Sequence, residues 1–198
     1  MECEKKKRSK QVMKVSSTQL PDVKLIEPRV FGDARGFFFE SFNQATYAAQ
    51  GLPTAFVQTN VSRSARGVLR GLHYQWPQPQ GKLVGVLEGA VIDVAVDIRR
   101  GSPTFGRSVA VELSADNHHM LWIPEGYAHG FAVISDFATF VYQCTSLYEA
   151  KWDRAIRWDD PTIDIAWPFA PQALSAKDAS APFLADIAPE HLPVYSAP

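Results

Sequence analysis

Cysteine is nearly missing from this chain of 198 residues, which holds only Cys3 and Cys144. Two cysteines so far apart support neither a disulfide framework nor a zinc site, and they fit a reducing cytoplasm. Net charge is also lacking. A formal value of −1 argues against a general nucleic-acid binder, which would carry a basic excess. No apolar run approaches transmembrane length, because Asp, Gly or Pro interrupts the longest of them; no membrane span is expected. The basic residues Lys5, Lys6, Lys7, Arg8, Lys10 and Lys14 have no apolar segment behind them, so the N-terminus does not read as a secretory signal. Residues 1–14 are expected to form a disordered basic tail, and Met13 would also serve as a start. One domain is expected over 15–198, long enough to bury a full core.

What is present is strand pattern. Val23–Glu27 stops at Pro28, Arg29-Val30-Phe31 runs into the turn Gly32–Gly36, and Phe37–Phe42 is a strand-prone aromatic run. Further strands are expected at 83–87, 91–98, 109–113, 121–123, 130–134 and 139–145. In the second of these, Ile92, Val94, Val96 and Ile98 alternate with Asp93, Ala95 and Asp97, which predicts one buried and one solvated face. Helices are few and short. Asn43 can cap a helix that ends before Gly51, and Ser175 can cap another opening at Ala176. Short strands punctuated by Gly, Pro, Asp and Asn predict an all-β antiparallel sandwich or barrel.

The chemistry concentrates in residues 66–82, where Arg70 and Lys82 flank His73 in an otherwise apolar or turn-forming stretch. On a regular strand Arg70 and His73 would face opposite ways. Gly71 between them permits a bulge that aims both the same way. Fixed positive charge beside a titratable base suits an anionic substrate that must lose a proton. The plain alternative is an amphipathic strand whose Arg and Lys reach water.

Gly67 and His73, with Pro124-Glu125-Gly126-Tyr127-Ala128-His129, resemble the two halves of a cupin motif, which implies a double-stranded β-helix, or jelly roll. A metal-binding cupin needs a second histidine where Gln75 stands, and a nearby acid. His73 and His129 alone fall short of three ligands, so no metal site is expected.

Longer matches narrow the resemblance. Val68–Gln75, Gln80–Val84, Asp93–Asp97, Ser102–Gly106, Leu121–Phe131, Val30–Glu40 and Leu174–Asp178 are similar to the dTDP-4-dehydrorhamnose 3,5-epimerase family, in order over roughly residues 20–185. The resemblance implies a cofactor-independent isomerase in dTDP-rhamnose synthesis, acting on dTDP-4-dehydro-6-deoxy-D-glucose beside its C4 ketone. It further implies His73 as the base, Asp178 as its carboxylate partner, Tyr142 as proton donor and Lys82 at the developing enolate charge. Arg35, Arg70 and His129 match contacts to the diphosphate and its neighbours, and Glu40, Gln58, Thr59 and Asn60 match nucleotide-binding positions. Lys177 and Asp153 match further substrate contacts, and Phe31 or Phe38 could stack on thymine. A cytoplasmic homodimer with shared active sites is implied, Arg35 and Glu40 serving the partner's site.

Three positions depart from the family pattern. Thr59 replaces an acid, Gly85 replaces a basic residue, and Asp153 stands where a longer Glu is usual. The remaining alternatives are a mono-epimerase or ketoisomerase of specialised deoxysugar synthesis, a non-catalytic sugar-binding jelly roll, and a metal-dependent cupin.

Overall fold

The structure is a computed structural model and describes residues 13–196. Among the described residues thirteen strands run in chain order: β1 Met13–Ser17, β2 Lys24–Pro28, β3 Phe31–Asp33, β4 Gly36–Phe38, β5 Gln58–Ala65, β6 Leu69–Gln75, β7 Lys82–Glu88, β8 Ala90–Asp97, β9 Ser108–Ser114, β10 Met120–Ile123, β11 Tyr127–Val133, β12 Phe137–Cys144 and β13 Asp153–Ala155. They form a six-stranded sheet ordered β1-β2-β10-β7-β12-β5 and a five-stranded sheet ordered β13-β6-β11-β8-β9, with β3 and β4 as a separate hairpin. The named pairings are antiparallel. This is the jelly roll expected. Strand β1 begins at Met13, inside the segment expected as a tail, and the rest of that segment lies outside the described residues.

The two sheets face each other across a core in which Val84, Val86, Leu121, Ile123 and Phe140 meet Val91, Ala95, Leu113, Phe131 and Val133. Phe140 is completely buried and stacks on Phe131 with ring centroids 4.2 Å apart. Burial of one such side chain stabilises by roughly 1.5–3 kcal/mol.

The outer faces are covered as well. Helix α1, Gln44–Ala49, lays Tyr47 over Ile26, Met120 and Trp122 of the larger sheet. Its N-cap is Asn43, whose side chain accepts from Ala45 and Thr46 N–H, and the chain leaves through Gly51 at φ +69. Across the outer face of the smaller sheet, Ile156, Ile163, Leu184 and Leu192 of the C-terminal segment pack on Leu72, Val94 and Val96.

That second cover corrects the reading of β8. Asp93 and Asp97 are buried like the residues between them, because the sandwich interior lies on one side and the C-terminal segment on the other. Buried carboxylates need partners. Asp97 has Arg99, Ser102 and Thr104, and Asp93 has His129. The aromatic run is corrected too: β4 stops at Phe38, and Phe37 and Phe38 are exposed by 62% and 64%.

Candidate active site

The inward positions of several strands change from apolar to polar toward one end of the sandwich. On β12 the inward series is Ala138, Phe140 and Tyr142; on β7 it is Val86, Val84 and Lys82. On β11 it passes from Val133 and Phe131 to His129. The core therefore gives way to a cleft between the sheets. Its main cavity, about 330 Å³, is lined by His73, Lys82, Tyr142, Gln58, Asn60, Asp153 and Lys177, among others. A smaller cavity of about 190 Å³ shares His73, Lys82 and Tyr142 and adds Arg70 and His129.

Arg70 and His73 reach the same space because β6 bulges. The register opposite β11 shifts between His129 and Phe131, which pair with His73 and Arg70. Gly71, at φ +125, lies so close to Gly130 that a Cβ on it would stand 2.5 Å from the Gly130 Cα. Any side chain at either glycine would push the strands apart. Arg70 Nε then donates to Ser64 Oγ at 3.0 Å.

His73 Nε2 lies 2.6 Å from Asp178 Oδ1. Helix α2, Ala176–Ala179, presents that carboxylate. Ser175 Oγ accepts the backbone N–H of Asp178 at 3.1 Å, so the cap and the contact with His73 use different atoms of one residue. Burial pushes the Asp178 carboxyl up, but hydrogen bonds from His73, Gly71 N–H and Ser175 outweigh it and hold the group below its ordinary value. An ionised carboxylate only accepts. The tautomer of the neutral ring that this contact selects has its proton on Nε2 and a lone pair on Nδ1.

On the facing sheet, burial pushes the Tyr142 hydroxyl upward, with Cys144 and Asp153 adding to it against Arg70 and Asn60. The phenol stays protonated at neutral pH. Lys82 is buried, and desolvation lowers its ammonium pKa against the pull of Cys144, Asp153 and Asp93. The His73 ring and the Tyr142 hydroxyl thus stand on opposite sheets, with the buried Lys82 amine on the Tyr142 side.

A second imidazole–carboxylate pair adjoins the first. His129 Nε2 is 2.8 Å from Asp93 Oδ2, and burial lowers its pKa despite that partner. Asp93 Oδ1 is buried without a hydrogen-bond partner in the structure.

Other expected site residues are not brought to the cleft. Thr59 is exposed between the inward-facing Gln58 and Asn60, as strand alternation requires. Arg35 sits at the β3–β4 hairpin on Asp33. Phe31, Phe38 and Glu40 line a separate, mostly apolar cavity of about 270 Å³ with Arg29 and Tyr47. Sequence reasoning missed Asp93, whose signal was a carboxylate in an otherwise buried strand, and Tyr148, for which no sequence signal existed.

Fold and cleft together define a cupin-like jelly roll with an acid–base site between its sheets. The sequence model of dTDP-4-dehydrorhamnose 3,5-epimerase matches residues 17–186. A relative of that name from Pseudomonas aeruginosa is 56% identical over 177 residues, covering 88% of this chain and 97% of the relative. Among solved structures, the 3,5-epimerase of Legionella pneumophila in complex with dTDP-4-keto-L-rhamnose superposes with a TM-score of 0.91 at 52% identity, covering 93% of this chain and 100% of that one. A 3′-monoepimerase from Streptomyces bikiniensis in complex with dTDP-quinovose gives 0.80 at 36% identity, covering 85% and 87%. This chain belongs to the dTDP-4-dehydrorhamnose 3,5-epimerase family.

Proposed function

We propose that the cleft inverts C3 and C5 of dTDP-4-dehydro-6-deoxy-D-glucose, a step of dTDP-rhamnose synthesis, through an enolate at C4. The observation that carries this reading is the placement of His73, backed by Asp178, on one sheet and of Tyr142 with Lys82 on the other. His73 Nδ1 takes the proton from C3 or C5, while Asp178 stabilises the imidazolium that forms. The electron pair moves onto the C4 oxygen, where the Lys82 ammonium stabilises it; in a desolvated site that attraction is stronger than in water. The Tyr142 hydroxyl returns a proton to the opposite face, and solvent resets both groups. Arg70 and His129 hold the diphosphate end, a task that suits the forked guanidinium.

Proton NMR in D2O tests the reading. Incubation with the 4-keto sugar should replace hydrogen by deuterium at both C3 and C5. Exchange at C3 alone would instead place the protein with the mono-epimerases, and exchange at neither carbon would overturn the reading.

The same reading includes a homodimer in a reducing cytoplasm. Phe31, Phe37 and Phe38 are exposed on the β3–β4 hairpin, and a two-fold partner is the commonest cover for such a face. In that dimer Arg35 and Glu40 serve the partner's nucleotide, with Phe31 or Phe38 against the base. Light scattering at micromolar concentration should give twice the chain mass. A fully active monomer would remove this part of the proposal.

A further inference from the structure

Gln75 stands two residues after His73, where a metal-binding cupin carries a histidine, and its side chain is spent on backbone. It is buried. Its Nε2 donates to the carbonyls of Gln78 at 2.5 Å and Leu147 at 3.1 Å, and its Oε1 accepts the Glu149 N–H at 2.8 Å. Two more glutamines hold the same segment. Gln80 Nε2 donates to the Ser146 carbonyl, and Gln58 Oε1 accepts the Tyr148 N–H, each at 2.8 Å. Residues 146–149 form no helix or strand, so these amides supply the bonds a ladder would otherwise make.

The segment leads directly into the cleft. Tyr148 donates its hydroxyl to Asp153 Oδ2 at 3.1 Å, and the same oxygen takes Lys177 Nζ at 2.5 Å. Asp153 is also the direct cross-strand partner of Gln75. Gln75, Tyr148, Asp153 and Lys177 line the main cavity, and Lys177 precedes Asp178, the partner of His73. Gln75 therefore meets the wall twice: its amide holds the loop behind Tyr148, and its backbone lies opposite Asp153.

We propose that Gln75 is a positioning residue for the epimerase reaction: it holds segment 146–149 so that Tyr148, Asp153 and Lys177 form a preset wall of the cleft. The proposal rests on the epimerase reading given above. A wall already ordered before the sugar arrives saves the entropy of ordering it on binding. Losing the order should raise KM and leave the proton transfers at His73 and Tyr142 near their normal rate.

Gln75→Leu keeps the volume and removes all three hydrogen bonds. Its KM for the dTDP-4-keto sugar should rise about tenfold, with kcat within about threefold of wild type. Amide hydrogen exchange read by mass spectrometry should accelerate over 146–149 in the free protein. In an Asp153→Asn background, Gln75→Leu should change KM by less than about twofold, because the wall is already broken. A merely structural role would lower melting temperature and give multiplicative effects. Should Gln75→Leu fold poorly, Gln80→Leu releases the same segment from a less buried position and should shift loop exchange and KM in the same direction. An active wild type with wild-type KM in the folded variant, or fully multiplicative effects in the double variant, overturns this proposal alone. A wild-type protein that leaves the sugar undeuterated overturns both it and the epimerase reading.

Discussion

The molecule holds two imidazole–carboxylate pairs side by side, and their surroundings give them different chemistry. His73 and His129 are direct partners across β6 and β11, and each bonds an aspartate through Nε2 at 2.6 and 2.8 Å. The His73 side chain is 34% exposed and that of His129 only 8%. Asp178 comes from a capped helix and takes a backbone N–H as well as His73, whereas Asp93 lies within a strand and leaves one buried oxygen unpartnered. The first ring opens onto the cleft, as the proton carrier proposed above must. Burial keeps the second ring neutral, which suits a fixed polar contact and not a shuttle. Geometry within each pair is nearly the same, so access to the cleft separates the roles.

Removing each ring would test that contrast most strongly. His73→Ala should lower deuterium incorporation at C3 and C5 together by about 10²–10⁴-fold. Asp178→Asn should reach a similar order, since an amide can donate to Nε2 and fix the unproductive tautomer. Comparable exchange at either carbon in His73→Ala would dissolve the distinction between the pairs. Tyr142→Phe comes next. Inverted product should fall about 10²-fold while some exchange persists, because the enolate still forms when only the acid is missing. NMR integration of exchanged substrate against product separates the two.

His129→Asn should act mainly on binding, raising KM about tenfold, the size expected for one hydrogen bond to a charged ligand. Steady-state kinetics would expose an error in this assignment if kcat fell as far as in His73→Ala.

The smallest effects are in stability against pH, and they fall in separate windows. The pKa of His129 is depressed below its ordinary 6.5 in the folded protein. Its contribution is complete above that value and is lost as pH falls through the folded pKa, because the unfolded chain binds the proton first. The Asp178 pKa is depressed below 3.8, so its contribution is complete above 3.8 and lost on further acidification. Denaturant melts of His129→Asn should flatten the slope just below pH 6.5, and those of Asp178→Asn only the slope below 3.8. Identical pH profiles for the two variants would contradict the difference in burial.

The comparison also marks what sequence could express. The strand spacing, the caps at Asn43 and Ser175, and the bulge beneath Arg70 and His73 follow from local rules, and the structure repeats them. The burial of Asp93 and Asp97 does not follow: the C-terminal segment covers the face of Ile92, Val94 and Val96 from outside, and the aspartates turn inward beside Val91 and Ala95, which alternation along β8 cannot report. For the same reason Thr59 looked like a site residue beside Gln58 and Asn60: a run of three polar residues does not say which of them turns outward. The exposed phenylalanines of β3 and β4 reverse the usual expectation of apolar burial. The role of Gln75 was hidden by its distance in sequence from Leu147 and Glu149. Resemblance supplied the aspartate at 178, which local pattern reads as a helix-capping neighbour.

The meeting of Gly71 with Gly130 has a consequence for anyone who would transplant this chemistry. Copying the histidine, lysine, tyrosine and aspartate onto another jelly roll would not carry the function with it. Two side-chain-free positions on adjacent strands have to travel too, since a Cβ on Gly130 would come within 2.7 Å of the Arg70 carbonyl. Part of the blueprint is thus a hole the size of a methyl group, and a graft that filled it would leave Arg70 and His73 on opposite sides of the strand.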